Sequence, residues 1–265
     1  MNLNRKNLYD IGGRIECCMD LQNKGIVSID PETFKGLPIC KLYLQANSLK
    51  SIDPKIFRDC SMCDELFLAS NQLSHLDWQT FEKLVNLKVL WLSGNKLTCL
   101  EDDLFATLDH LIILQLGWNK ITQIDSNIFS NLKKLTKLDL SNNQLFVIDR
   151  YAFRELKNLK ELDLRNNLLT NFYEPTFDEL ENLQFLWLTD NKLRTIEMLL
   201  FKGLKRINTI DLSSNNIEIV HPHSFVGLLR LRKISLCNNP IVIQNSDAIK
   251  DIIMPNPCVI LNYGG

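Results

Sequence analysis

The apolar residues between Leu84 and Leu108 (LVNLKVLWLSGNKLTCLEDDLFATL) follow neither a helical period nor a strict alternation. Leu84, Leu87, Leu90, Leu92, Asn95, Leu97, Leu100, Phe105 and Leu108 are spaced 3, 3, 2, 3, 2, 3, 5 and 3 apart, and the set begins again 24 residues later. A single helix or strand keeps one period. A mixed spacing that recurs is an internal repeat.

The repeat runs through most of the chain. Its asparagine falls at Asn47, Asn71, Asn95, Asn119, Asn143, Asn167, Asn191, Asn215 and Asn239, an unbroken step of 24. A phenylalanine falls at Phe34, Phe57, Phe81, Phe105, Phe129, Phe153, Phe177, Phe201 and Phe225, with one step of 23 at the start. Each slot has a physical reason. Leu90 and Leu92 alternate as a strand does, with both side chains on one face. Asn95 follows where the strand turns, and a buried turn exposes backbone groups that need partners. An amide side chain supplies both a donor and an acceptor, so successive asparagines predict a hydrogen-bonded ladder. The phenylalanines fill the core from the far side. One repeat leaves two open faces, and stacking closes them.

The pattern L-x-x-L-x-x-L-x-L-x-x-N-x-L, as in Leu132, Leu135, Leu138, Leu140, Asn143 and Leu145, resembles the leucine-rich repeat family. Ile148 and Phe153, which follow it, place it with the 24-residue class. That class is similar to the ectodomains of Toll-like receptors, Slit-type proteins, the Nogo receptor and variable lymphocyte receptors. The resemblance implies an α/β solenoid, a horseshoe with a parallel β-sheet on its concave side and irregular or 3-10 structure on its convex side.

The expected organisation is an amino-terminal tail over 1–14, about nine repeats over 15–245 and a capping segment over 246–265. The polar, basic start predicts a frayed terminus. Residues 15–33 read as a degenerate first turn. Near the end, Asn245-Ser246-Asp247 has the chemistry of a helix cap, Ile249, Ile252 and Ile253 share a helical face, and Pro255 stops it, a terminal lid on the core. Relatives outside the cell carry cysteine caps at both ends. Here Cys17 and Cys18 stand near the first, and only Cys258 follows Asn239-Pro240.

The 265 residues carry 30 basic and 31 acidic side chains, a net charge of −1, which gives no whole-molecule field for nucleic acid. No apolar run approaches the ~18 residues of a membrane span. Cys60-x-x-Cys63 has metal-knuckle spacing, but both residues fall in leucine slots and no second pair completes a site, so the competing reading is buried thiols. Cys17, Cys40 and Cys63 are 23 apart. Neighbouring strands lie about 4.8 Å apart, within disulfide reach, so either Cys17–Cys40 or Cys40–Cys63 is available. His221 and His223 flank Pro222 in a loop, two ligands where a metal needs more. Neither metal nor cofactor is expected.

On each strand the residues between core leucines face the concave side. The central column reads Tyr43, Phe67, Trp91, Gln115, Asp139, Asp163, Trp187, Asp211 and Ser235, and the column before it Lys41, Glu65, Val89, Ile113, Lys137, Glu161, Phe185, Thr209 and Lys233. Tyr43, Phe67 and Trp91 form an aromatic strip, with Val89, Ile113 and Trp118 beside it. Phe185 and Trp187 form a second spot. Exposed contiguous aromatics mark interaction surfaces, although aromatics also suit strands in general. L-D-L is a frequent form of this strand, so the aspartates read as scaffold.

A catalytic reading finds no phosphate loop, no histidine beside a nucleophile in the concave columns, and no deep pocket on a flat sheet. The expected function is therefore a non-catalytic protein- or ligand-recognition module of receptor type, extracellular or cell-surface-associated. The alternative is an intracellular adaptor or inhibitor. Thiol state separates the two. None of the 27 asparagines begins an N-x-[ST] acceptor, which weighs towards the intracellular alternative.

Overall fold

A computed structural model describes residues 1–12, 17–173, 175–221, 223–241 and 260–262. The expected helix over 245–255, Pro222 and Cys258 lie outside these residues. The chain forms a solenoid of parallel coils that divides into two compact units, residues 1–121 with 127–135 and residues 122–126 with 136–265.

In the first unit the L-x-L segments are three-residue parallel strands, Cys18–Asp20, Lys41–Tyr43, Glu65–Phe67, Val89–Trp91 and Ile113–Gln115. They pair in unshifted register, so Leu42, Leu66, Leu90 and Leu114 stand side by side. All four are fully buried. On the opposite side of the coils, Pro54–Phe57 and Trp78–Phe81 are 3-10 helices. Their starts are set by Asp53 and Asp77, whose side chains accept the amides of Lys55 and Gln79 at 2.9 and 2.8 Å. The rings of Phe81, Phe105 and Phe129 stack behind the leucines with centroids 6.4 and 6.2 Å apart.

The first twelve residues do not fray as their polarity predicts. Asn2–Leu3 pairs as a parallel strand with Ser28–Ile29, and Arg5–Gly12 is an α-helix. Asn4 caps that helix by accepting the amides of Lys6 and Asn7. Leu3 and Leu8 are buried. Two well-placed leucines suffice here because they cover the open face of the first coil.

The second unit repeats the scheme with strands Lys137–Asp139, Glu161–Asp163, Phe185–Trp187, Thr209–Asp211 and Lys233–Ser235. Within the expected capping segment, Ile260–Asn262 adds one more strand beside Lys233–Ser235. The far side carries two pairs of two-residue strands, Gln123–Ile124 with Val147–Ile148 and Thr195–Ile196 with Ile219–Val220. Its phenylalanine column runs from Phe153 to Phe225.

The asparagine ladder takes a different form from a chain of side-chain amides. Each asparagine bridges backbone to backbone. Asn71 Oδ1 accepts the Leu49 amide at 3.0 Å, and its Nδ2 donates to the carbonyls of Leu44 and Leu68. In the second unit Asn167, Asn191, Asn215 and Asn239 accept from Leu145, Leu169, Leu193 and Ile217. The residue before each ladder asparagine has left-handed φ, from Ala46 at +56° to Asn238 at +57°.

Candidate functional site

The unshifted strand register fixes what lies on the open sheet face. In the first unit it places Tyr43, Phe67, Trp91 and Gln115 in one row across neighbouring strands. The Tyr43 and Phe67 rings stack with centroids 4.8 Å apart and planes 8° from parallel. Phe67 meets Trp91 edge-on at 4.9 Å. Trp91, 41% exposed, is the most open of the three. Such ring pairs add about 0.5–1.5 kcal/mol beyond the area they bury.

Along one side of the strip, Lys41 and Glu65 form an ion pair at 2.7 Å, followed by the half-buried Val89 and Ile113. The Glu65 carboxylate, through its hydrogen bond and its charge, raises the Lys41 ammonium above its ordinary value. Along the other side the side chains shrink to Ala69, Ser93 and Gly117.

Trp118 stands apart. It lies in the turn beyond the strand, is 68% exposed, has φ +58° and makes no ring contact with the strip. The repeat puts Trp118 in the slot of Gly94, three residues past Gln115, the register partner of Trp91. The equivalent turn residues include Ala46, Ser70, Gly94, Asn166 and Asp190, small residues or the Asn and Asp that tolerate that conformation.

The second unit holds the second spot. Phe185 and Trp187 stack at 5.7 Å, and the Arg165 guanidinium lies 5.8 Å from the Trp187 ring centroid. Arg165 is clamped by Asp163, Nε to Oδ1 at 3.0 Å and Nη2 to Oδ2 at 2.6 Å, and that hydrogen bonding raises its basicity further. Lys137 pairs with Glu161 at 2.9 Å. Asp139 and Asp211 each accept the amide of the serine two residues on, Ser141 and Ser213. These carboxylates thus serve local turns, as the scaffold reading requires. Burial pushes the Asp139 carboxyl up, against the pull of the Ser141 hydrogen bonds. Ser235, expected on the open face, is buried instead.

The remaining cysteine and histidine candidates divide clearly. Of the two possible bridges, Cys17–Cys40 forms, with Cα atoms 5.0 Å apart. Cys60 and Cys63 are buried thiols, pushed up to about 12 chiefly by desolvation, which leaves them unreactive. His221 lies 3.5 Å from Glu197. Among the described residues no three metal-ligating side chains gather, and no helix is long and apolar enough to cross a membrane.

A family model for the leucine rich repeat matches residues 39–97, 85–145, 134–193 and 186–241. The chain belongs to the leucine-rich repeat family. No curated protein matches it. Among solved structures, this leucine-rich repeat chain is similar to a chain in the octameric complex of Latrophilin 3 (Lec, Olf), Unc5D (Ig, Ig2, TSP1) and FLRT2 (LRR). The TM-score is 0.75 at 22% identity, over 92% of this chain and 82% of that one. It is also similar to a chain in the TLR13–ssRNA13 complex, with a TM-score of 0.64 at 20% identity. That match covers 89% of this chain but 49% of the other, so this leucine-rich repeat array spans about half its length. At these identities the likeness is one of fold.

Proposed function

We propose that this leucine-rich repeat chain is a non-catalytic recognition module that binds a protein partner on the open, concave-type face of its sheet. Tyr43, Phe67 and Trp91 are the anchors, flanked by Val89, Ile113 and Trp118, with Phe185 and Trp187 as a second contact. The observation that carries the reading is the packed, partly exposed row of three aromatic rings on adjacent strands. Aromatic residues dominate the energetics of protein interfaces, and a flat sheet presents them without the enclosure catalysis needs. The FLRT2 neighbour is named in a complex with other proteins, which is in keeping with a protein ligand. The Cys17–Cys40 bridge favours an extracellular or cell-surface setting over the cytoplasmic adaptor reading, because disulfides persist in oxidising compartments.

The test is affinity capture from surface-protein extracts and conditioned medium. It compares the wild-type chain with a Tyr43→Ala/Phe67→Ala/Trp91→Ala variant, once circular dichroism shows both folded. A protein retained by wild type alone supports the strip. Loss of one true anchor costs about 2 kcal/mol or more, roughly 30-fold in affinity. Equal retention by both overturns the strip as the site.

A further inference from the structure

Several charged residues on neighbouring coils are paired with an opposite charge one repeat away. Lys41 meets Glu65, Lys137 meets Glu161, and Lys205 meets Glu181. One groove in the second unit instead gathers three arginines. Arg206 and Arg230 occupy one slot of successive coils, and Arg232 stands in the next column after Asn208 and Gln184. Backbone bonds hold that column in step, Asn208 N to Gln184 O at 2.8 Å and Arg232 N to Asn208 O at 2.9 Å. All three arginines are exposed, and among the described residues none has an ion pair and no acidic side chain lines the groove. Like charges on neighbouring coils repel weakly where they are exposed, and an anion seated between them would relieve that repulsion.

The chemistry of the lining narrows the anion. Guanidinium forks bind tetrahedral oxyanions bidentately. Asn208 accepts the Thr209 hydroxyl on its side-chain oxygen at 3.3 Å, which leaves its NH2 for a ligand, and Gln184 brings a second amide. Among the described residues no aromatic ring lines the groove, and a single-stranded nucleic-acid site would need such a stacking platform. Among the described residues Leu229, 85% exposed, is its one open apolar side chain, too little for insertion into a membrane.

We propose that this groove binds a sulfated polysaccharide, with a sulfate ester seated among Arg206, Arg230 and Arg232 and the amides of Asn208 and Gln184 donating to neighbouring oxygens. The choice of a sulfated glycan rests on the surface setting proposed above, but the binding itself is independent of the aromatic strip.

The experiment is a titration of the full chain with a fluorescent heparin octasaccharide, with no protein partner present. Arg206→Ala, Arg230→Ala and Arg232→Ala should each weaken binding about tenfold, the scale of one charge-assisted hydrogen bond. The triple variant should not bind measurably, its melting unchanged because these side chains are exposed. Arg→Lys variants should fall between, and Lys205→Ala should match wild type. A desulfated octasaccharide should not bind. No binding by wild type, or wild-type affinity in the triple variant, overturns the proposal. So does tighter binding of single-stranded RNA or phosphatidylserine vesicles through the same arginines.

Discussion

Asn95 Oδ1 accepts the backbone amide of Leu73, one coil away, at 3.0 Å. The two carbonyls that Asn95 serves, Leu68 and Leu92, also accept from Asn71 and Asn119 respectively. The Leu73 amide has no such second partner. Asn95→Ala therefore orphans one buried donor at about 1–3 kcal/mol, and with the lost donor bonds should destabilise the chain by about 2–4 kcal/mol. Asn95→Asp keeps the acceptor but turns a carboxylate towards two carbonyls, so it should be no better than alanine. Urea unfolding of both variants checks this. An Asn95→Asp variant as stable as wild type would show that the acceptor alone holds the turn.

The Cys17–Cys40 bridge joins the second sheet strand region to the first over 23 residues. Closing a loop of that length in the unfolded chain should contribute about 3 kcal/mol. Reductant should lower the melting temperature of wild type and leave a Cys17→Ser/Cys40→Ser variant unaffected. Equal sensitivity in both would mean that the bridge is not what reductant acts on.

Asp139 gives a pH dependence whose sign follows from its surroundings. Burial, with help from the neighbouring Asp163, holds its carboxyl above the ordinary 3.8, against the Ser141 hydrogen bonds and Arg165. A carboxyl raised in the folded state favours folding below the unfolded value, and that contribution is lost as pH rises through the raised value. Asp139→Asn preserves an acceptor for the Ser141 amide and removes the titration. It should melt above wild type at neutral pH, and the gap should close as pH falls below 3.8. A variant less stable than wild type across that range would assign Asp139 a net favourable charge interaction.

The architecture was legible because two columns of one residue type each carry a single physical duty. Asparagine must satisfy buried backbone, and phenylalanine must fill a fixed volume, so both recur at 24 with little drift. The register of Tyr43, Phe67 and Trp91 followed from the same arithmetic. What the pattern could not yield depended on local backbone and on the ends. Cys17, Cys40 and Cys63 share one spacing, and only the strand from Cys18 to Asp20 shows that Cys17 and Cys40 face each other. Residues 1–12 looked polar because just Leu3 and Leu8 face inward. Ser235 sits in an outward slot, yet it is buried.

Trp118 is the point where stability and binding should separate. Its backbone sits at φ +58°, a conformation that costs an ordinary L-residue about 1–2 kcal/mol. Asparagine tolerates it, as at Asn166 and Asn238, and Trp118 recovers little by packing because its ring is 68% exposed. Strain held in an exposed aromatic accords with a role in contact. Trp118→Asn should therefore raise the melting temperature by roughly 2 °C for a chain of this size. The same change should weaken binding of the partner proposed for the Tyr43–Phe67–Trp91 strip, while Asn166→Trp should lower stability without creating that affinity. A Trp118→Asn variant that is less stable and binds normally would make the indole a structural group and remove it from the interaction surface.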